Sequence, residues 1–258
     1  MPAIPDIRIA GSVQDWAHQA AGFIAAVSER AILTNGRFII ALSGGSTPKT
    51  LYQVLASSEW RTRFDWTKVY FLFGDERCVP PDHQDSNFNM AQASLFHPLA
   101  IPPNHIFRMR GEGDDPSVIA QEYEQTIRQL TKSQPQTVPR IDLVLLGIGD
   151  DGHTASLFPG TLALQETKKV VTVGQAPTGI RSRLTLTLGV LNRAAVVLFL
   201  VTGKGKADMV RRILEPTSEA DRSLPAARII PESGQLVWML DQASAEGLTG
   251  RRPQQGEA

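Results

Sequence analysis

Short apolar runs rich in β-branched residues alternate along the chain with stretches whose apolar positions recur every three or four residues. This is the pattern of βα units around a mostly parallel sheet. The runs predict strands at Phe38 to Leu42, Val69 to Phe73, Ile141 to Leu146, Lys169 to Val173, Arg183 to Leu188, Val196 to Val201 and Gln235 to Leu240, with helices between them. In the first helix Ser12 and Asp15 resemble a capping box, Trp16, Ala20, Phe23, Ile24 and Val27 share a face, and Asn35-Gly36 supplies the stop. A second helix is expected from about Ser117 to Lys132, with Ile119, Tyr123, Ile127 and Leu130 inward. The breaks HPLAIPPNH and TKSQPQTVPR are short and lie between well-patterned elements, so they read as surface loops and not as domain boundaries. Residues 1–249 are therefore expected to form a single α/β domain, and the polar segment GRRPQQGEA from Gly250 is expected to be disordered.

Size and charge narrow the classes. A chain of 258 residues and 28.2 kDa is near the upper range of one domain and long enough to bury a core. Twenty-six basic residues balance twenty-six acidic ones, so no broad field favours nucleic acid or an anionic membrane, and any preference for an anion must be local. The longest apolar run, AAVVLFLV, is too short to cross a bilayer, and MPAIPDIRIAG lacks the basic flank and apolar core of a signal peptide. A soluble cytoplasmic protein is expected. The lone Cys78 suits a reducing compartment and is read as structural.

In an open parallel sheet, ligands bind beyond the carboxyl ends of the strands. That places four loops in view: SGGSTP after Leu42, GDERCVP after Phe73, GIGDDGH after Leu146 and TGKGKAD after Val201. The first, with Ser43, Gly44, Gly45, Ser46 and Thr47 leading into a helix, suits a phosphate or serves equally as a capped turn. It lacks the spacing of a P-loop. In the fourth, Lys204 and Lys206 open a helix, where basic residues oppose the dipole unless an anion shares the site. Arg183 is a further candidate for bidentate phosphate contact. Asp75, Glu76 and Arg77 follow a buried strand so closely that they are either paired internally or used on a ligand.

The third loop satisfies G-x-G-x-x-G with Gly147, Gly149 and Gly152. Asp150 and Asp151 would repel a pyrophosphate there, and TASLFPG breaks at Pro159-Gly160 after barely two turns of helix, so a dinucleotide is not expected. What remains is a turn that presents Asp151 beside His153, which serves either as a histidine satisfying loop backbone groups, the commoner use of an isolated Asp-Gly-His, or as the minimal equipment of a general base, since a carboxylate fixes the imidazole tautomer and stabilises the imidazolium. Neither H-E-x-x-H nor paired Cys and His at ligand spacing occurs. His18 reads as a surface residue, and His83, His97 and His105 fall in loops without evident partners.

Taken together, SGGSTPKTLY, GDERCVPPDHQDSN, LGIGDDGHTASLFPG and TGKGKA, in that order, resemble the 6-phosphogluconolactonases of the oxidative pentose phosphate pathway. The similarity runs from about Ile9 to Leu248, and the third block is its most specific piece. The resemblance implies a Rossmann-like, mostly parallel sheet with helices on both faces, as in glucosamine-6-phosphate deaminase, ribose-5-phosphate isomerase and coenzyme A transferases. It implies hydrolysis of 6-phosphoglucono-δ-lactone to 6-phosphogluconate, with no cofactor and no metal, and a small phosphorylated sugar lactone as the partner molecule. By the same resemblance His153 matches the general base and Asp151 its orienting acid. Arg77, Arg183 and Lys206 match cations around the substrate phosphate, beside Gly44, Gly45, Ser46 and Thr47. Asp75 stands where the related deaminases keep a catalytic acid. Those deaminases carry a glutamate five residues past the histidine, and this chain has Phe158 there. A serine hydrolase finds no G-x-S-x-G elbow, whereas a non-catalytic sugar-phosphate sensor would use the phosphate loops and gain nothing from Asp151 and His153.

Overall fold

The computed structural model describes residues 4–249, so the expectation for the segment from Gly250 lies outside the described residues. Nine strands form two sheets among the described residues: β1 (Asp6–Ala10), β2 (Phe38–Leu42), β3 (Val69–Phe73), β4 (Asp75–Arg77), β5 (Leu143–Leu146), β6 (Val171–Gln175), β7 (Ser182–Leu186), β8 (Val196–Val201) and β9 (Gln235–Asp241). Six of them make a fully parallel sheet in the order β1-β9-β8-β5-β2-β3, and β4-β7-β6 make a separate antiparallel sheet. The expectation of a mostly parallel sheet holds for the larger layer. The runs near Lys169 and Arg183 instead pair antiparallel, two residues later and one residue earlier than their apolar patterns suggest.

Parallel strands covered on both faces need apolar residues throughout, which FIIAL and LVLL satisfy, every residue of each being buried. The edge strand DIRIA escaped the apolar pattern because an edge need not be covered: Asp6 and Arg8 pair with each other at 2.8 Å on its half-buried side. Strand β4 escaped for a different reason. Its sequence is Asp-Glu-Arg, and only tertiary pairing with β7 makes it extended.

The first helix spans Val13–Asn35, with Ser12 accepting from the Asp15 N–H and Gly36 closing it in the left-handed conformation, as the sequence suggests. Its buried face is Trp16, Ala17, Ala20, Ala21, Ile24, Ser28 and Ala31, so Phe23 and Val27 sit at the margin and not in the core. Trp16 ties this helix to the sheet by donating from Nε1 to the Met239 carbonyl (2.8 Å). The helix Pro116–Thr131 buries Ile119, Tyr123 and Ile127, with Leu130 half-buried.

Three histidines gain partners that sequence could not assign. His18 accepts from Trp60 Nε1 (2.9 Å), His83 accepts from the Asp85 N–H (3.1 Å), and His105 meets the Val69 carbonyl (3.0 Å) while stacking on Tyr70. Cys78 is half-buried, and burial raises its thiol pKa, consistent with an unreactive role.

Candidate active site

The four strand-following loops meet where expected, at the carboxyl ends of the parallel strands. Ser43, Gly44, Gly45, Asp75, Arg77, Asp150, Asp151, His153 and Arg183 line one cleft of about 430 Å³. A larger groove of about 760 Å³ lies at the opposite ends of the strands, lined by Arg30, Arg37, Arg140 and Asp142 among others. Among the described residues it offers no histidine, and its carboxylate Asp142 is engaged by the Ile39 N–H (2.8 Å), so the smaller cleft is the candidate site.

The loop after β5 is stitched by its own backbone. The Gly149 N–H donates to the His153 carbonyl (2.8 Å), the Gly152 N–H donates to the Gly149 carbonyl (3.1 Å), and Thr154 Oγ1 donates to the Gly147 carbonyl (2.9 Å). Contrary to the short helix expected after Gly152, the chain remains irregular until the single turn Leu162–Gln165, which removes the setting a dinucleotide needs. Within this turn Asp151 Oδ1 accepts from the His153 N–H (3.0 Å) and lies 2.6 Å from His153 Nδ1. A carboxylate can only accept, so Nδ1 carries a proton, and in the neutral imidazole it is Nε2 that keeps the lone pair. Phe158 packs against the imidazole with ring centroids 4.3 Å apart, and Gly149 lies so close to its Nδ1 and Cε1 atoms that no Cβ would fit. The ring is thus held by a carboxylate, an aromatic neighbour and a close backbone.

Strand β4 divides its charges by the period-two alternation of an extended chain. Glu76 turns inward and accepts from the N–H groups of Arg77, Asn87 and Phe88 (2.7, 2.8 and 2.8 Å) and from Ser86 Oγ (3.1 Å). Burial still pushes its pKa up. Asp75 and Arg77 turn toward the cleft. Asp75 is gripped from behind by Ser156 Oγ (2.6 Å) and Asn87 Nδ2 (3.2 Å), and Asn87 approaches so near to Gly44 that a Cβ there would overlap its side-chain oxygen. The choice left open by sequence is therefore split: Glu76 is internal, while Asp75 and Arg77 face the ligand side. Ser156 and Asn87 were missed, because neither carries a signal before the fold brings them together.

Arg77 stands directly opposite Arg183 in the β4–β7 pairing. Like charges across a ladder are unfavourable, and the Nε–H of each guanidinium is buried without a partner among the described residues. Arg77 donates from Nη1 to the Asp85 carbonyl (2.5 Å), and burial followed by the neighbouring Arg77 charge pulls the Arg183 pKa down. Such a pair suits an anion between or beside the two forks.

On the other rim, Tyr52 Oη clamps the start of the glycine loop by accepting from the Ser43 N–H (3.1 Å) and donating to the Ser43 carbonyl (2.8 Å). Ser46 opens the helix Ser46–Leu55 behind Gly45 at φ +105, a backbone that favours glycine. Thr47 does not line the cleft; its hydroxyl bonds Thr202 Oγ1 (2.9 Å), joining the loops after β2 and β8. Lys204 pairs outward with Glu246 (3.1 Å), whereas Lys206 reaches Asp150 at the rim.

With this arrangement in place, comparison with known proteins is decisive. Residues 11–238 match the sequence model of the glucosamine-6-phosphate isomerases/6-phosphogluconolactonase family. The chain belongs to that family. Among the relatives of this glucosamine-6-phosphate isomerase/6-phosphogluconolactonase chain, the 6-phosphogluconolactonase of Synechocystis sp. is 42% identical over 219 residues, 85% of this chain and 88% of the relative. That of Nostoc sp. is 40% identical over 221 residues, 86% and 89% of the two chains. The solved 6-phosphogluconolactonase from Trypanosoma cruzi superposes with a TM-score of 0.83 at 33% identity, covering 97% of this chain and 99% of that one. A monomeric glucosamine-6-phosphate deaminase at 21% identity shares the fold, with a TM-score of 0.75.

Proposed function

We propose that the protein hydrolyses 6-phosphoglucono-δ-lactone to 6-phosphogluconate, the activity its relatives' names carry, with His153 as general base. The observation that carries this reading is the His153 imidazole, held by Asp151 at 2.6 Å on Nδ1 with Nε2 left to accept a proton, in a cleft that also presents two facing arginines whose Nε–H groups have no partner among the described residues.

His153 Nε2 takes a proton from water as the oxygen attacks lactone C1, giving a tetrahedral oxyanion. Collapse breaks the bond from C1 to the ring oxygen, which leaves as the C5 hydroxyl with the proton returned by the imidazolium. Asp151 stabilises that imidazolium without taking its proton. An activated ester needs no covalent nucleophile. Asp75, oriented by Ser156 and Asn87, accepts a hydrogen bond from a sugar hydroxyl and fixes the ring. Arg77 and Arg183 bind the phosphate, with Gly44, Gly45, Ser46 and Thr47 shaping the loop beside it and Lys206 at the rim. The described residues contain no helix long and apolar enough to cross a membrane. The single cysteine and small phosphorylated substrate fit a place in the cytoplasm.

The first test is hydrolysis of the phosphorylated lactone against an enzyme-free blank, since the lactone also opens unaided. A rate indistinguishable from the blank would overturn the reading in favour of a sugar-phosphate sensor. Arg183→Ala is expected to raise KM for the phosphorylated lactone by about tenfold or more, the scale of one charge-assisted hydrogen bond. Its effect on unphosphorylated gluconolactone should be much smaller. Equal losses on both substrates would remove Arg183 from the phosphate site.

A further inference from the structure

Of the three cations assigned to the phosphate, Lys206 alone makes an ion pair with a carboxylate among the described residues, and that partner belongs to the base-bearing turn. Lys206 Nζ lies 2.5 Å from Asp150 Oδ1, and Asp150 lines the cleft while Lys206 itself does not. The two side chains differ in freedom: that of Lys206 is 30% exposed and that of Asp150 is 88% exposed. The Lys206 bond is the main cause holding the Asp150 carboxyl below its ordinary pKa, so that carboxyl is ionised at neutral pH. Asp150 is also adjacent in sequence to Asp151, the residue that holds His153.

We infer that Asp150 is a displaceable internal anion that occupies Lys206 in the free protein and yields it to the phosphate of the ligand, making Asp150 a residue that sets the cleft's affinity for phosphorylated molecules. This rests on the phosphate assignment of Lys206 made above. A phosphate near neutral pH carries more charge than a carboxylate and offers more acceptor oxygens, so it wins the lysine when the sugar is also bound. A side chain as exposed as Asp150 swings away without losing burial. Once displaced it stays near the cleft and repels what has taken its place. The product of lactone opening gains a carboxylate at C1 beside its phosphate, so it is opposed more strongly than the substrate. Asp150 thereby weakens retention of product and of stray inorganic phosphate.

The test is Asp150→Asn, which preserves shape and removes the charge. KM for the phosphorylated lactone and the inhibition constants of 6-phosphogluconate and inorganic phosphate are each expected to fall roughly two- to fivefold, the reach of an exposed ion pair, and less at high salt. In a Lys206→Gln background the same change should have at most half that effect, because the lysine it competes for is gone. Unchanged or raised constants, or an equal effect in both backgrounds, would overturn the inference. Should the wild type show no turnover above the blank, the lactonase reading fails separately. Calorimetric titration of inorganic phosphate into the same variants then decides: tighter binding by Asp150→Asn upholds the displaceable anion, and equal or weaker binding rejects it.

Discussion

His153→Ala is expected to lower kcat on 6-phosphoglucono-δ-lactone by about 10² to 10⁴, the range a positioned general base supplies. Affinity for inorganic phosphate or 6-phosphogluconate should stay within a few-fold of wild type, because the imidazole acts on the attacking water and the phosphate is held by other residues. The measurement is steady-state hydrolysis corrected for spontaneous opening, with calorimetric titration of the product. A parallel loss of affinity and rate would make His153 a binding residue. A wild-type rate would move the base elsewhere in the cleft.

Gly149→Ala is expected to cost nearly as much without removing any reacting group. A Cβ at this position would stand 2.0 Å from His153 Nδ1, 2.1 Å from Cε1 and 2.8 Å from Asp151 Oδ1, and these are the three nearest atoms it would meet. The imidazole must leave its seat, and a displacement of about 1 Å in a catalytic group is enough for a loss on the order of 10² in rate. The clash falls on the side chains of half-buried His153 and exposed Asp151 and not on the core, so the fold should persist and phosphate affinity should remain. A kcat close to wild type would show that His153 works from a different rotamer. A protein that no longer binds phosphate would show that the turn has a wider structural role.

How far the sequence disclosed this site depended on what each residue owed to its neighbours in the chain. The Asp151–His153 pair was legible because both side chains sit in one turn and meet through local geometry. Strands such as Phe38–Leu42 and Val196–Val201 were legible because a strand buried on both faces must be apolar at every position. The same logic hid β4, whose three charged residues become a strand only through pairing with β7. Arg77 and Arg183 could each be suspected singly, yet that they stand opposite one another is a fact of register and not of spacing. Ser156 and Asn87, which hold Asp75, are 81 and 12 positions from it in sequence. Lys206 and Asp150, 56 positions apart, are joined only when the loops after β5 and β8 converge.

Strand β4 has a further consequence for how this protein can vary. Three consecutive side chains, Asp75, Glu76 and Arg77, perform three different duties by pointing alternately to the cleft, the interior and the cleft. Because that alternation has a period of two, a deletion of one residue at Gly74 would interchange these duties at once, turning the Arg77 guanidinium toward the backbone amides of Asn87 and Phe88 and the Glu76 carboxylate toward the cleft. The length of the link between the two sheets therefore decides which charges face the cleft as much as the identity of the residues it carries.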